Sequence, residues 1–286
     1  MSSAAYTLRS PPVCTTSVVF SSPHSGRNYL KSFLNQTILD ERGVRSSEDA
    51  FVDELIAAAP DLGAHSILAT MPRAYLDLNR AEDELDSAVV RGAPRMGHNP
   101  RVASGLGVIP RVVSNGRAIY RGKLPYSEAQ MRLHKYWRPY HSKLRDILNQ
   151  TKAQFGHAVL VDCHSMPREA IATLRDGTGQ RPDVVLGDRF GAAASGGVVE
   201  HIEAALASAG LITARNAPFA GAYITQAYGR PAQGVHVVQL EIDRGLYMDE
   251  YAIKPHEGFE SFRKLFTGVM AEIADLGRPA VGLAAE

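Results

Sequence analysis

Four short polar clusters hold the residue types that do hydrolytic chemistry: Pro23-His24-Ser25-Gly26, Asp77-Leu78-Asn79-Arg80, Asp162-Cys163-His164-Ser165 and Glu241-Ile242-Asp243-Arg244. Brought to one spot, they would supply two imidazoles, several carboxylates and two guanidinium groups, an inventory that suits a metal centre activating water. Catalytic Zn²⁺ takes three protein ligands from His, Asp or Glu and keeps one position for water. His24 and His164 offer two. The third must be a carboxylate, and Glu48 and Asp49 are the nearest in chain order. A separate carboxylate must take and return protons. Glu241 fits, because its strand is otherwise apolar and desolvation there raises a carboxyl pKa toward that of a useful base.

Each residue also has a plainer reading. His24 and His164 are hydrogen-bonded residues at strand ends, and Glu48 and Asp49 are acids in the first turn of a helix, where they complement its dipole. Glu241 and Arg244 form a salt-bridged strand end, and Arg80 caps a helix. The remaining histidines read as surface or core, with His98 and His141 best placed to face a pocket. Rival chemistries are weaker. Ser25 and Ser165 lack a Gly-x-Ser-x-Gly elbow, no Gly-x-Gly-x-x-Gly or Walker loop follows a first strand, and the flanks of Cys163 would raise its thiol pKa.

The elements that must position these clusters alternate between strand and helix. A β-branched run at 17–21 leads into His24, and the nearly all-apolar run 157–161 leads into Asp162 and His164 as a central strand covered on both faces. The run 235–242 carries Glu241. Further strands are expected at 66–70, 75–78 and 183–187. Helices are expected at 198–209, at 256–274, over 127–154 with a bend at Pro139, and after Ser47, where Phe51, Val52, Leu55, Ile56 and Ala59 make one apolar face. The segment 80–124 is rich in Gly, Pro, Arg and Asn and reads as a long excursion, 211–234 reads as a loop, and 1–12 as a loosely ordered N-terminus. This pattern predicts an α/β fold: a three-layer α/β/α arrangement around a central mixed, largely parallel sheet, in one domain over 1–286. Active sites of such sheets gather beyond the carboxyl ends of strands.

Composition bounds the partners. The chain has 286 residues, 45% hydrophobic and 21% charged, with a formal net charge of +1. That balance provides no bulk field for a nucleic-acid backbone or an anionic bilayer. Two cysteines, Cys14 and Cys163, fit a reduced cytoplasmic setting, and no apolar run approaches a membrane span.

Taken in order, the four clusters, together with Tyr75-Leu76 ahead of Asp77 and the stretch Asn216-Ala217-Pro218-Phe219-Ala220-Gly221-Ala222-Tyr223, resemble the N-formylglutamate amidohydrolase family over most of the chain, from about Val18 to Glu250. The resemblance implies a cytoplasmic amidohydrolase with one Zn²⁺ per chain and a fold related to zinc carboxypeptidases. Its substrate is a small N-acyl amino acid. The family's namesake reaction splits N-formyl-L-glutamate into formate and L-glutamate, the last step of one histidine degradation route. By position the resemblance implies His24, Asp49 and His164 as metal ligands, with Glu48 the substitute for Asp49, and Glu241 as general base. Arg80, with Arg73 and Arg244 behind it, would hold carboxylates, and Asn79, Asn216 and Tyr223 would lie on the substrate side. Two departures stand out: Arg27 occupies the place of a carboxypeptidase-type His-x-x-Glu glutamate, and Pro72-Arg73-Ala74-Tyr75 replaces the family's Ser-Arg-Tyr. The alternatives are a carboxypeptidase or deacylase acting on another acyl group, and a non-catalytic metal- or carboxylate-binding protein.

Overall fold

Side-chain alternation along the strands decides the layering. The computed structural model describes residues 4–94, 97, 99–175 and 179–278. Seven strands form one sheet: β1 (Tyr6–Arg9), β2 (Val18–Ser22), β3 (His65–Ala69), β4 (Ala158–Met166), β5 (Val184–Gly187), β6 (Thr213–Arg215) and β7 (Val235–Asp243), in the order β1-β3-β2-β4-β7-β5-β6. Strands β3, β2, β4 and β7 are mutually parallel, β1 and β5 run antiparallel to their neighbours β3 and β7, and β6 is parallel to β5. The sheet is therefore mixed and largely parallel, as the pattern predicts.

Successive residues of a strand face opposite sides. Val159, Val161 and Cys163 of β4 join a core with Val198 and Ile202 of the helix Gly196–Ser208 and with Phe262 and Phe266 of the helix Phe259–Asp275. Ala158 and Leu160 join the opposite core with Tyr140, Leu144 and Ile147 of the helix Arg138–Phe155. Each buried Val, Leu, Ile or Phe among them contributes about 1.5–3 kcal/mol relative to exposure, and helices on both faces make three layers. The same parity puts Asp162 and His164 on the Leu160 face of β4, and Gln239 and Glu241 on the Val237 face of β7. Register then pairs Asp162 with Gln239 and His164 with Glu241.

Several expectations are corrected. The strand expected at 157–161 does not end there: β4 continues through Met166 because β7 hydrogen-bonds along its whole length. Of the N-terminus expected to be loosely ordered, Met1–Ser3 lie outside the described residues, while Tyr6–Arg9 pairs with β3 as the edge strand. The helix expected after Ser47 shrinks to Val52–Leu55 and a 3₁₀ turn Ala59–Leu62, although Val52, Leu55, Ile56 and Ala59 are all buried as its face requires.

The long helix and the missing strand at 75–78 share one explanation. The helix runs as Tyr126–Arg132, a π turn over Leu133–Trp137, and Arg138–Phe155. The π turn ends two residues before Pro139, whose ring has no N–H to donate back along the helix. In an α-helix, residues five apart point about 140° away from each other, whereas the i→i+5 repeat of a π turn brings them to one face. Arg132, Trp137 and His141 therefore all reach 75–80. Arg132 Nη1 donates to the Tyr75 carbonyl at 3.0 Å, His141 Nε2 to that of Leu78 at 2.9 Å, and Trp137 Nε1 to that of Arg80 at 2.9 Å. Side chains, not a neighbouring strand, satisfy these carbonyls.

Candidate metal centre

His24 stands just past the end of β2, where the chain turns against the segment after β3. Gly26 permits that turn: a Cβ there would lie 2.2 Å from the Met71 carbonyl oxygen. Asp49 is brought alongside by its backbone N–H, which donates to the His24 carbonyl at 3.0 Å. His164 projects from the carboxyl end of β4. The three side chains converge: His164 Nδ1 lies 3.1 Å from His24 Nδ1 and 3.0 Å from Asp49 Oδ2, and His24 Nδ1 lies 3.4 Å from the same oxygen. Their exposures are 2%, 1% and 2% for His24, Asp49 and His164, so bulk water screens little of this charge.

Behind each imidazole stands a carboxylate. His24 Nε2 is 2.7 Å from Asp77 Oδ1, and His164 Nε2 is 2.9 Å from Asp162 Oδ2. An ionised carboxylate only accepts, so each Nε2 donates, and each neutral ring then turns a lone pair on Nδ1 inward. Two nitrogen lone pairs and a carboxylate oxygen thus face one another, the donor set of a metal site whose outer carboxylates fix ring tautomer and orientation. Ser21 Oγ donates to Asp162 Oδ1 at 2.6 Å, and Arg244 Nη2 donates to Asp49 Oδ1 at 3.1 Å, which leaves Asp49 Oδ2 for the histidines. Burial opposes charge on Asp49, yet contact with His164 and His24 holds its carboxyl well below the usual range. Burial likewise opposes charge on His164, while Asp162 and Asp49 raise its pKa well above the ordinary histidine value. The cluster demands a positive charge, which either a proton or a cation would supply.

Glu241 lies beside the cluster. Burial pushes its carboxyl up to about 7, with His164, Arg73 and Arg244 opposing and the Asp49 charge adding to the rise. Gln239 Nε2 donates to Glu241 Oε1 at 2.7 Å, and among the described residues no side chain bonds Oε2. The cluster opens into a cavity of about 340 Å³ lined by Arg73, Arg80, Arg101, Glu241 and Phe219 among others. Arg80 is fixed there by bonds from Nε to the Leu106 carbonyl and from Nη1 to its neighbour Asn79, both at 2.9 Å. Arg73 commits its Nε to Asp77 Oδ2 at 3.1 Å.

The structure brings His24, Asp49, His164, Glu241, Arg73, Arg80 and Asn79 together. Glu48 points elsewhere, accepting from the Tyr29 hydroxyl at 2.9 Å and Arg45 Nε at 3.0 Å. Arg244 lines the cavity and spends donors on Ser165 Oγ, the Glu48 carbonyl and Asp49, so it braces Asp49. Asn216 and Tyr223 do not line the cavity. The Asn216 amide ties down Asp188 and Phe190, and the Tyr223 ring packs on Trp137 and His141; both support the wall loop between them. His141 is a buried anchor, its pKa pushed by burial down to about 3, and His98 lies outside the described residues. Ser25 and Ser165 hydroxyls bond Ser22 and Arg244 instead of an imidazole, and burial raises the Cys163 thiol. Sequence reasoning passed over the supporting roles of Asp162 and Gln239, each two residues before an assigned residue on the same strand face. It also passed over Arg101, which no local pattern marks.

Comparison with known proteins follows the same lines. The N-formylglutamate amidohydrolase family model matches residues 16–248. N-formylglutamate deformylase of Pseudomonas aeruginosa is 34% identical over 193 residues, 66% of this chain and 66% of that protein; the Pseudomonas putida enzyme is 34% identical over 192 residues with the same coverage. The aligned part thus spans just under two thirds of these relatives' length. The crystal structure of N-formylglutamate amidohydrolase from Ralstonia eutropha JMP134 superposes with a TM-score of 0.89 at 33% identity, covering 96% of this chain and 99% of that one. The gene product Atu2144 of Agrobacterium tumefaciens shares the fold at a TM-score of 0.66 and 14% identity, covering 96% of each chain. With the family model matching residues 16–248 and the fold matching that of a family member at 33% identity, the chain belongs to the N-formylglutamate amidohydrolase family.

Proposed function

We propose that the chain is a metal-dependent amidohydrolase that converts N-formyl-L-glutamate to formate and L-glutamate, with one Zn²⁺ held by His24, Asp49 and His164. The observation that carries this reading is the convergence of two imidazole lone pairs and a carboxylate oxygen beside Glu241, in a chain of this family. Zinc held by His24, Asp49 and His164 would supply Lewis acidity at this spot, lowering the pKa of water toward about 7 and polarising an amide carbonyl. Glu241 Oε2 takes the proton of the attacking water and returns it to the departing nitrogen as the C–N bond breaks. Arg80, its guanidinium fixed by two backbone carbonyls, turns its remaining N–H groups toward the developing oxyanion. Arg73 and Arg101 hold the substrate carboxylates. Two free thiols, one of them buried, fit a reducing cytoplasm, and the reaction would close a histidine degradation route. Among the described residues no helix is long and apolar enough to cross a membrane.

Hydrolysis of N-formyl-, N-acetyl- and N-succinyl-L-glutamate by the purified protein, before and after chelation and zinc restoration, tests the reading. Formate release that chelator abolishes and zinc restores is expected. Faster cleavage of the acetyl or succinyl compound would reassign the acyl group, and hydrolysis of none would leave a binding protein. His164→Ala should lose metal and turnover together.

A further inference from the structure

The geometry points to Gln239 as a positioning residue that aims Glu241 and ties that aim to the cavity wall at Ala222. The inference rests on the function proposed above. Gln239 stands two residues before Glu241 on the same face of β7, 4% exposed, with every contact of its amide fixed in sense. The Ala222 backbone N–H can only donate, and it lies 3.2 Å from Gln239 Oε1. Oxygen therefore faces Ala222, and the NH₂ group must face Glu241, donating to Oε1 at 2.7 Å. A charge-assisted bond of this kind is short and directional. It holds one carboxylate oxygen and leaves Oε2 directed to the cavity.

A second amide locks the first. Asn79 Oδ1 accepts from the backbone N–H of Ile224 at 2.8 Å, which turns Asn79 Nδ2 toward Gln239 Oε1 at 3.2 Å. Ala222 and Ile224 bracket the start of the helix Tyr223–Tyr228, directly after the wall residues Phe219 to Gly221. The wall reaches this position only because β5 ends on a bare glycine: a Cβ at Gly187 would lie 2.6 Å from the Gly221 nitrogen. One amide thus reads the seating of the wall on one side and sets the carboxylate on the other.

The test is a double-substitution cycle with Gln239→Met and Glu241→Gln, read as kcat and KM for N-formyl-L-glutamate alongside bound metal. Gln239→Met alone should keep metal and lower kcat about 10- to 100-fold, the scale of a misaimed catalytic group. In the Glu241→Gln background the same change should lower kcat by less than about twofold, since groups acting as a unit are not additive. Full additivity, a change confined to KM, or loss of metal would overturn the proposal. If the methionine variant does not fold, Gln239→Asn takes its place in the cycle with the same expectation: it keeps the amide but is one methylene too short to span Ala222 and Glu241 together. A wild-type protein without chelator-sensitive hydrolysis would count against the functional reading, whereas an active wild type with an indifferent Gln239 variant would count against this inference alone.

Discussion

The site is assembled from two halves built by different physics. One half is carried by strands: Asp162, His164, Gln239 and Glu241 lie on adjacent parallel strands in matched register, so backbone ladder bonds set their spacing. The other half is carried by irregular chain: His24, Asp49, Asp77, Asn79 and Arg80 sit outside strands and hold position through specific polar contacts. The His24 carbonyl takes the Asp49 N–H, and the π-shifted helix face grips the carbonyls around Asp77 and Arg80. The strand half gives rigidity at no extra cost in side chains. The loop half needs a dedicated buried donor for each carbonyl it orients, and it carries Asn79 and Arg80 to the cavity wall.

The sharpest break falls in the strand half. Glu241→Gln should retain metal yet lower kcat by about 10²- to 10⁴-fold. Because the base must be ionised and burial pushes its carboxyl up to about 7, wild-type kcat/KM should fall as pH drops through neutrality and level off above it. A bound cation would move that limb to lower pH. A limb that survives unchanged in the glutamine variant would assign it to another group.

Paired substitutions behind the two imidazoles compare the halves directly. Asp162→Asn and Asp77→Asn should each weaken metal binding about 10- to 100-fold, measured by competition with a chelator. Asp77→Asn should also raise KM, because Asp77 additionally accepts from the Asn79 N–H and from Arg73. Equal KM effects from both would show that loop and strand support are interchangeable.

Smaller changes isolate the loop half. Trp137→Phe strands the Arg80 carbonyl in a buried site and should cost about 1–3 kcal/mol of stability in denaturant unfolding, with metal content unchanged and KM raised. Arg101→Ala should have the least effect. Its side chain is exposed and its pairing with a substrate carboxylate is screened, so KM should rise by no more than about fivefold; a larger rise would make Arg101 a principal anchor.

The amino-acid order by itself determined the central strands and the long helices, their apolar faces and the chemical character of each cluster, while it missed the edge strands Tyr6–Arg9 and Thr213–Arg215 and the helix Tyr223–Tyr228. It also implied that Glu241 shares a side with Gln239, because parity along a strand is a local property; for His164 and Asp162 it did not, since that strand was expected to end at 161 and only pairing with β7 carries it on to Met166. What it left open is contact between distant segments. Only the tertiary structure set Asp49 and not Glu48 beside the two imidazoles, spent Arg244 donors on Ser165, Glu48 and Asp49, and withdrew Asn216 and Tyr223 behind the wall they brace. Those outcomes depend on which backbone groups find partners across the sheet and loops. No spacing within a segment encodes that, because adjacent residues such as Glu48 and Asp49 carry the same chemistry and differ only in the neighbours the fold gives them.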